Sequence, residues 1–213
     1  MSASDFNPKL AALIIDLQAE TDFITEERKT QLKSIGSQLA AMLEEDGHLK
    51  VNFICTHNSR RSQLGQIWLK AAAFWNDEPN ISTFSGGTEA TAFNHRMVAA
   101  VKRAGFDVKQ LTDWENPKYY APITEEDKTH DIYFSKKFAN SYNPKSDFVA
   151  VMVCTDADKA CPFVPGAKLR ISLPYLDPKA YDDTPREAEE YNKKVREIGR
   201  EMLYLMESIQ NGK

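Results

Sequence analysis

A cysteine and an arginine six positions apart, Cys55 and Arg61, carry the most chemical potential in the chain. The apolar run Val51, Phe53, Ile54 leads into Cys55, hydroxyls stand at Thr56, Ser59 and Ser62, and from Ser62 the pattern becomes that of an amphipathic helix. A strand, a tight loop and a helix N-terminus make an oxyanion cup: backbone N–H groups and the helix dipole point into one concavity. A thiol at the base of that field is favoured as thiolate, the nucleophilic form. Arg61 has the planar fork to grip two oxygens of a tetrahedral anion. Ser62 and Ser59 can donate to the sulfur or relay to it, and the Asn58 amide can tie the loop together. His57 and Arg60 complete the stretch.

Two further groups lie downstream. A continuous apolar run, Phe148–Val153, ends at Cys154, and Cys161 follows across the polar stretch Thr155–Ala160. That pair is a candidate reversible disulfide. Asp177, before Pro178, falls beyond the short strand Ile171–Leu173. A carboxylic acid placed there can protonate a leaving group held in the cup.

The elements that must position these groups follow from pattern. The 213 residues are 42% hydrophobic and 27% charged. That length and balance suit one good core with an added lobe. A net charge of −4 gives no overall electrostatic footprint for nucleic acid or anionic membrane, so neither partner is expected and an anion site must be local. Three cysteines without a secretory leader point to a reducing cytoplasm and to thiol chemistry. His48, His57, His95 and His130 lack zinc-ligand spacing, so no metal is expected.

Leu10, Leu13, Ile14, Leu17 and then Leu32, Ile35, Leu39, Met42 predict two amphipathic helices, with Gly47 as a stop. Residues 50–54 read as a strand, Ser62 onward as a helix with a buried aromatic stripe, Ile81–Phe84 as a strand, and Ser85–Thr88 as a turn able to approach the loop. Asn94 caps a helix closed by Gly105, with His95 a surface residue of its first turn. Strand and helix alternation of these lengths predicts right-handed parallel crossovers, with anions bound at the strands' carboxyl ends. Residues 107–147, rich in Trp and Tyr, are expected to form an ordered insertion near the site mouth, some aromatics serving as substrate walls. Thr184–Glu187 reads as a capping box with Pro185 at the first position of a long final helix.

Three pieces together resemble one family. Cys55-Thr56-His57-Asn58-Ser59-Arg60-Arg61-Ser62 resembles the phosphate loop of low-molecular-weight protein tyrosine phosphatases and of the thioredoxin-coupled arsenate reductases that share their fold. Val153 to Pro162 is similar to the reductases' redox loop, and Asp177-Pro178 to the general-acid loop of both. The likeness runs through about residues 50–106 and 147–209, roughly three-fifths of the chain. It implies an α/β fold, a four-stranded parallel sheet with helices on both faces. Residues 1–48 are then an N-terminal helical extension and 49–213 the α/β domain, with the insertion at about 107–147.

The resemblance implies two chemistries at one cup. As an arsenate reductase, Cys55 attacks arsenate with Asp177 assisting loss of hydroxide, Cys154 attacks Cys55 to release arsenite, and Cys161 closes a disulfide with Cys154. No cofactor is bound, and reduced thioredoxin is the electron donor. As a phosphatase for phosphotyrosine or a small phosphoester, Cys55 attacks phosphorus and Asp177 protonates the leaving alcohol. A third expectation is a non-enzymatic oxyanion or redox sensor. Using all three cysteines places the reductase first. His57 stands where these loops usually carry Gly, Gln66 where some reductases place a Glu near a potassium site, and Arg60 adds a second positive charge beside the cup.

Overall fold

The computed structural model describes residues 5–124, 127, 129, 131–161 and 163–212; His130 and Pro162 lie outside the described residues. Helix α1 (Pro8–Ala19) starts where the Asn7 side chain accepts the Lys9 N–H and Pro8 presets the first turn. Helix α2 (Glu26–Asp46) is capped by the Thr25 hydroxyl and stops at Gly47. The φ of Gly47 is 67°, the left-handed conformation that glycine adopts without strain. Leu10, Ile14 and Leu17 of α1 and Leu32, Ile35 and Leu39 of α2 are buried, as their spacing predicts.

The central sheet has four parallel strands in the order β2-β1-β6-β7: β1 (Leu49–Cys55), β2 (Ile81–Gly87), β6 (Phe148–Met152) and β7 (Ala167–Ser172). β1 and β6 are the interior strands. Their near-continuous apolar runs follow from burial on both faces. Helices α3 (Arg61–Trp75), α4 (His95–Arg103), α5 (Thr155–Ala160) and α6 (Glu187–Gln210) complete the flanking layers. α6 packs on α3, α4, α1 and α2, burying Tyr191, Val195, Ile198, Met202, Leu205 and Ile209. It approaches α3 closely because Gly199 has no side chain: a Cβ there would lie 2.6 Å from the Trp68 indole.

The segment between α4 and β6 forms a second, three-stranded antiparallel sheet of β3 (Lys109–Gln110), β4 (Tyr119–Tyr120) and β5 (Ile132–Tyr133). It is clamped to α3 by Lys70, whose ammonium lies 2.8 Å from both Asp127 and Asp131. Beside β2, the Asn143 amide donates to Ser85 O at 2.9 Å. Of its seven rings, Tyr119, Tyr133 and Phe134 are buried, Tyr120 and Phe138 are partly buried, and Trp114 and Tyr142 are exposed.

Several boundaries differ from the sequence reading: β7, for one, begins at Ala167 and ends at Ser172, where the pattern predicts Ile171–Leu173. Ser85, Gly86 and Gly87 are the last residues of β2, not a turn, because the adjoining backbone of the insertion pairs with them through Gly87 N to Lys136 O and Phe138 N to Gly87 O. The capping box at Thr184 does not form. The Thr184 hydroxyl donates to Tyr181 O, Glu187 accepts the Asp183 N–H and a bond from Arg96, and α6 begins only at Glu187, after Pro185.

Candidate active site

β1 delivers Cys55 at its carboxyl end, 3% exposed, with its sulfur 3.1 Å from the Ser62 hydroxyl in the first turn of α3. The Asn58 amide donates to that same hydroxyl oxygen at 2.8 Å. With its oxygen accepting from Asn58, the Ser62 hydroxyl can direct its proton at the sulfur. Asn58 holds the turn at φ 47°, a left-handed conformation that asparagine tolerates. Its side-chain oxygen accepts the Lys136 N–H at 2.9 Å and the Gln63 amide at 3.2 Å. Asn58 thus ties the loop together through Ser62 and also joins it to the insertion, and α3 begins at Arg61 itself, one residue before the sequence pattern.

Outer contacts hold the loop's other residues. Ser59 donates to Ala92 O at 2.7 Å, so its hydroxyl is directed away from the sulfur. The His57 carbonyl accepts from Ser135 at 2.7 Å, and its half-exposed ring lies 3.5 Å from Glu89. Gly87, paired in register with Cys55, passes so close that a Cβ would lie 2.6 Å from Thr56 O and 2.8 Å from Asn58 N. Gln66 donates to Thr83 O at 3.2 Å.

The two arginines have different roles. Arg60 donates from Nε to Tyr191 Oη at 2.7 Å and from Nη2 to Asp182 at 2.9 Å, while Tyr191 donates to Asp182 at 2.6 Å. Its charge is engaged within that triad, which fastens α6 to the loop. Burial, together with the bond to Asp182, pushes the Tyr191 phenol above its ordinary range, so it stays a donor. Arg61 donates from Nη2 to Asp177 at 2.8 Å and from Nη1 to Tyr175 O at 3.0 Å. Its Nε is buried with no hydrogen-bond partner among the described residues. A buried donor left open beside a nucleophile is suited to an oxyanion oxygen. Asp177 is thereby brought against Arg61 across 116 positions of sequence, and it also caps the short 3-10 turn Pro178–Tyr181.

The second thiol abuts the first site. Cys154 is fully buried at the N-cap of α5, where its sulfur accepts the Ala157 N–H at 3.3 Å and lies 3.5 Å from the Thr56 hydroxyl. Cys161, partly exposed, follows the last turn of that helix. All three cysteines are free thiols. Arg170 of β7 donates to the carbonyls of Cys161, at 3.0 Å, and Asp158, at 2.6 Å, pinning the helix's C-terminal end to the sheet.

A cavity of about 440 Å³ adjoins the loop, lined among others by His57, Arg60, Phe93, His95, Tyr119 and Lys179. Among the described residues, no group of three or more His, Cys, Asp or Glu side chains could hold a metal ion, and no helix is long and apolar enough to cross a membrane. The sequence pattern does not show the residues that hold these candidate groups in place: Ser135 and the Lys136 backbone, Tyr175, Arg28 and Gln31. Only the Gly86-Gly87 pair gave a local signal of close approach.

No family model matches the chain. The arsenate reductase of Bacillus subtilis is 30% identical over 159 residues, covering 74% of this chain and 95% of that protein. The arsenate reductase of Bacillus licheniformis is 29% identical over the same length and coverage. Among solved structures, a low-molecular-weight phosphotyrosine phosphatase from Vibrio cholerae superposes with a TM-score of 0.52 at 16% identity, over 76% of this chain and 97% of that one. One from T. tengcongensis gives 0.51 at 16% identity, over 75% and 98%. The structural likeness gives the fold, and the sequence relatives give the branch. The chain belongs to the arsenate reductase family built on the low-molecular-weight protein tyrosine phosphatase fold, a family of cysteine-dependent enzymes.

Proposed function

We propose that the protein reduces arsenate to arsenite with electrons from thioredoxin, in a reducing cytoplasm. The observation that carries this reading is the seat of Cys154, beside Thr56 in the wall of the Cys55 loop. Hydrolysis has no use for a second thiol there. Cys55 thiolate attacks arsenic, forming an S–As bond, and one arsenate oxygen leaves as water with a proton from Asp177. The loop amides of Thr56 to Ser62 and the Arg61 guanidinium hold the remaining oxygens. Cys154 then attacks the Cys55 sulfur. An S–S bond forms, the S–As bond breaks, and its electron pair stays on arsenic, which departs as arsenite. Cys161 attacks Cys154, freeing Cys55, and the dithiol of thioredoxin returns two electrons and two protons to the Cys154–Cys161 disulfide.

This sequence requires α5 to unwind. Helical rise from Cys154 to Cys161 separates them by about 10 Å, whereas a disulfide needs Cα atoms within about 7 Å. The helix has only 6 residues, and one so short melts readily. In this reading residues 1–48 are an extension and 49–213 the catalytic domain.

The test is arsenate-dependent NADPH oxidation with thioredoxin and its reductase, beside aryl phosphate hydrolysis, for the wild type, Cys55→Ser and Cys154→Ser. Both variants lose arsenate turnover, and Cys55→Ser still binds inorganic phosphate. Phosphate release untouched by Cys154→Ser, with no arsenate turnover in the wild type, overturns the proposal. That outcome supports phosphoester hydrolysis, which the 440 Å³ cavity beside the loop favours because an inorganic oxyanion does not need it.

A further inference from the structure

We infer that helix α2 serves the candidate active site, with Arg28 and Gln31 as positioning residues for the segment that carries Tyr175 and Asp177. The inference rests on Arg61 and Asp177 serving an oxyanion in the cup, as in the function proposed above.

The segment running from β7 to Asp177 has few backbone ties of its own. Leu173 N and Tyr175 N bond to Met152 O and Val153 O, and Pro174 and Pro178 offer no N–H. Its carbonyls are held by side chains instead. Gln31 donates to Ser172 O at 2.9 Å and Arg28 to Pro174 O at 3.3 Å, both from α2. Arg61, the anion-facing arginine, donates to the next carbonyl, Tyr175 O, at 3.0 Å. Just beyond is Asp177, bonded to the same guanidinium.

Arg28 is fixed from every side. Its Nε donates to buried Glu201 at 2.9 Å, its Nη1 to Gln31 at 2.9 Å, and its guanidinium lies 4.9 Å over the Tyr175 ring. The Tyr175 hydroxyl closes the arrangement on Glu201 at 2.7 Å. A chain of contacts therefore runs from α2 through Tyr175 to Arg61. Adjacent carbonyls held by two different arginines transmit displacement directly, and misplacement by about 1 Å can lower turnover by about 10²-fold. The ion pairs of Glu20, at the end of α1, with Arg196 and Arg200 tie the N-terminal region to α6 without touching this segment.

The experiment compares Arg28→Met and Gln31→Met with Glu20→Gln, at a temperature where circular dichroism and the melting curve show each variant folded. Arg28→Met lowers kcat for arsenate reduction about tenfold, more than it raises KM, and weakens inorganic phosphate binding several-fold. Gln31→Met does the same to a smaller degree. Glu20→Gln lowers the melting temperature with kcat within twofold of wild type. Arg28→Met within twofold of wild type in kcat and phosphate affinity overturns the inference, as does an equal loss from Glu20→Gln. If the wild type turns over no arsenate, the proposed function fails. Phosphate binding then decides the brace alone: affinity weakened by Arg28→Met and spared by Glu20→Gln supports it, and equal affinity in both overturns it.

Discussion

Lys136 shows how one residue serves the loop with its backbone while its side chain is a liability. The N–H holds Asn58 and the carbonyl takes the Gly87 N–H. The ammonium is buried with no hydrogen-bond partner among the described residues, facing the Phe134 ring at 4.9 Å. Burial pushes its pKa down to about 8, with Asp131 offsetting part of the effect. Between about 8 and the ordinary value near 10.5 the unfolded chain holds the extra proton, so this group's penalty is complete below about 8 and fades as pH rises. Lys136→Met is therefore expected to stabilise the protein by about 1–3 kcal/mol at neutral pH, with the gap to wild type narrowing at pH 9.5. Urea unfolding midpoints at the two values check it, and an equal or widening gap refutes it. The candidate loop residues were legible in sequence because they are local: a thiol, a closing arginine and hydroxyls within one loop. The partners of Ser59 and Arg60 were not legible because Ala92 O and the Tyr191–Asp182 pair come from distant parts of the chain, although Arg60 does lie beside Asp177, at 3.8 Å.

Among the elements, β2 bears the most on the loop. Its terminal Gly87 is where two backbones meet beside Cys55, and Glu89 O, Thr56 O and Asn58 N all crowd the space a methyl would fill. None of these is the mobile end of a side chain. Gly87→Ala is expected to lower stability by about 3 kcal/mol and to abolish inorganic phosphate binding in calorimetry; binding within threefold of wild type counts against the close approach as a requirement. The strands, α1, α2, α3 and the burial of α6 follow from periodicity and caps that the sequence displays. The start of α6 does not, because Glu187 finds the Asp183 N–H and Arg96 more favourable partners than a box with Thr184. The insertion was legible only as ordered, since its antiparallel sheet rests on pairings with no regular spacing.

At the scale of the molecule, two regions tie the candidate site in place: α2 holds the segment that carries Tyr175 and Asp177, and the insertion holds the Cys55 loop. The insertion depends on a buried ion cluster. Asp127 is pushed up by burial, yet Lys70, the Thr129 hydroxyl and the Ile123 N–H outweigh that and hold its carboxyl below the ordinary 3.8. The stabilisation is fully present above 3.8 and is lost as pH falls through the lower folded value. Hydrogen exchange is expected to show the amides of β4 and β5 losing protection below about pH 4 while β1 and β6 keep theirs; simultaneous loss in both sheets contradicts this. Neither brace could be read from sequence, because each joins groups far apart in the chain through contacts that leave no repeat or motif.

The ion pair between Arg61 and Asp177 has its own bearing on affinity. In the proposed function Arg61 grips the anion, and it already holds the Asp177 side chain, so an arriving oxyanion meets a resident competitor tethered to the same chain. Measured affinity is then a difference: the cup's intrinsic attraction less the strength of the displaced pair. Added salt weakens both interactions, so binding depends on ionic strength less steeply than at a bare guanidinium. In the proposed function, an oxyanion that displaces Asp177 from Arg61 frees that side chain beside the cup, so occupancy of the cup also decides where Asp177 can reach.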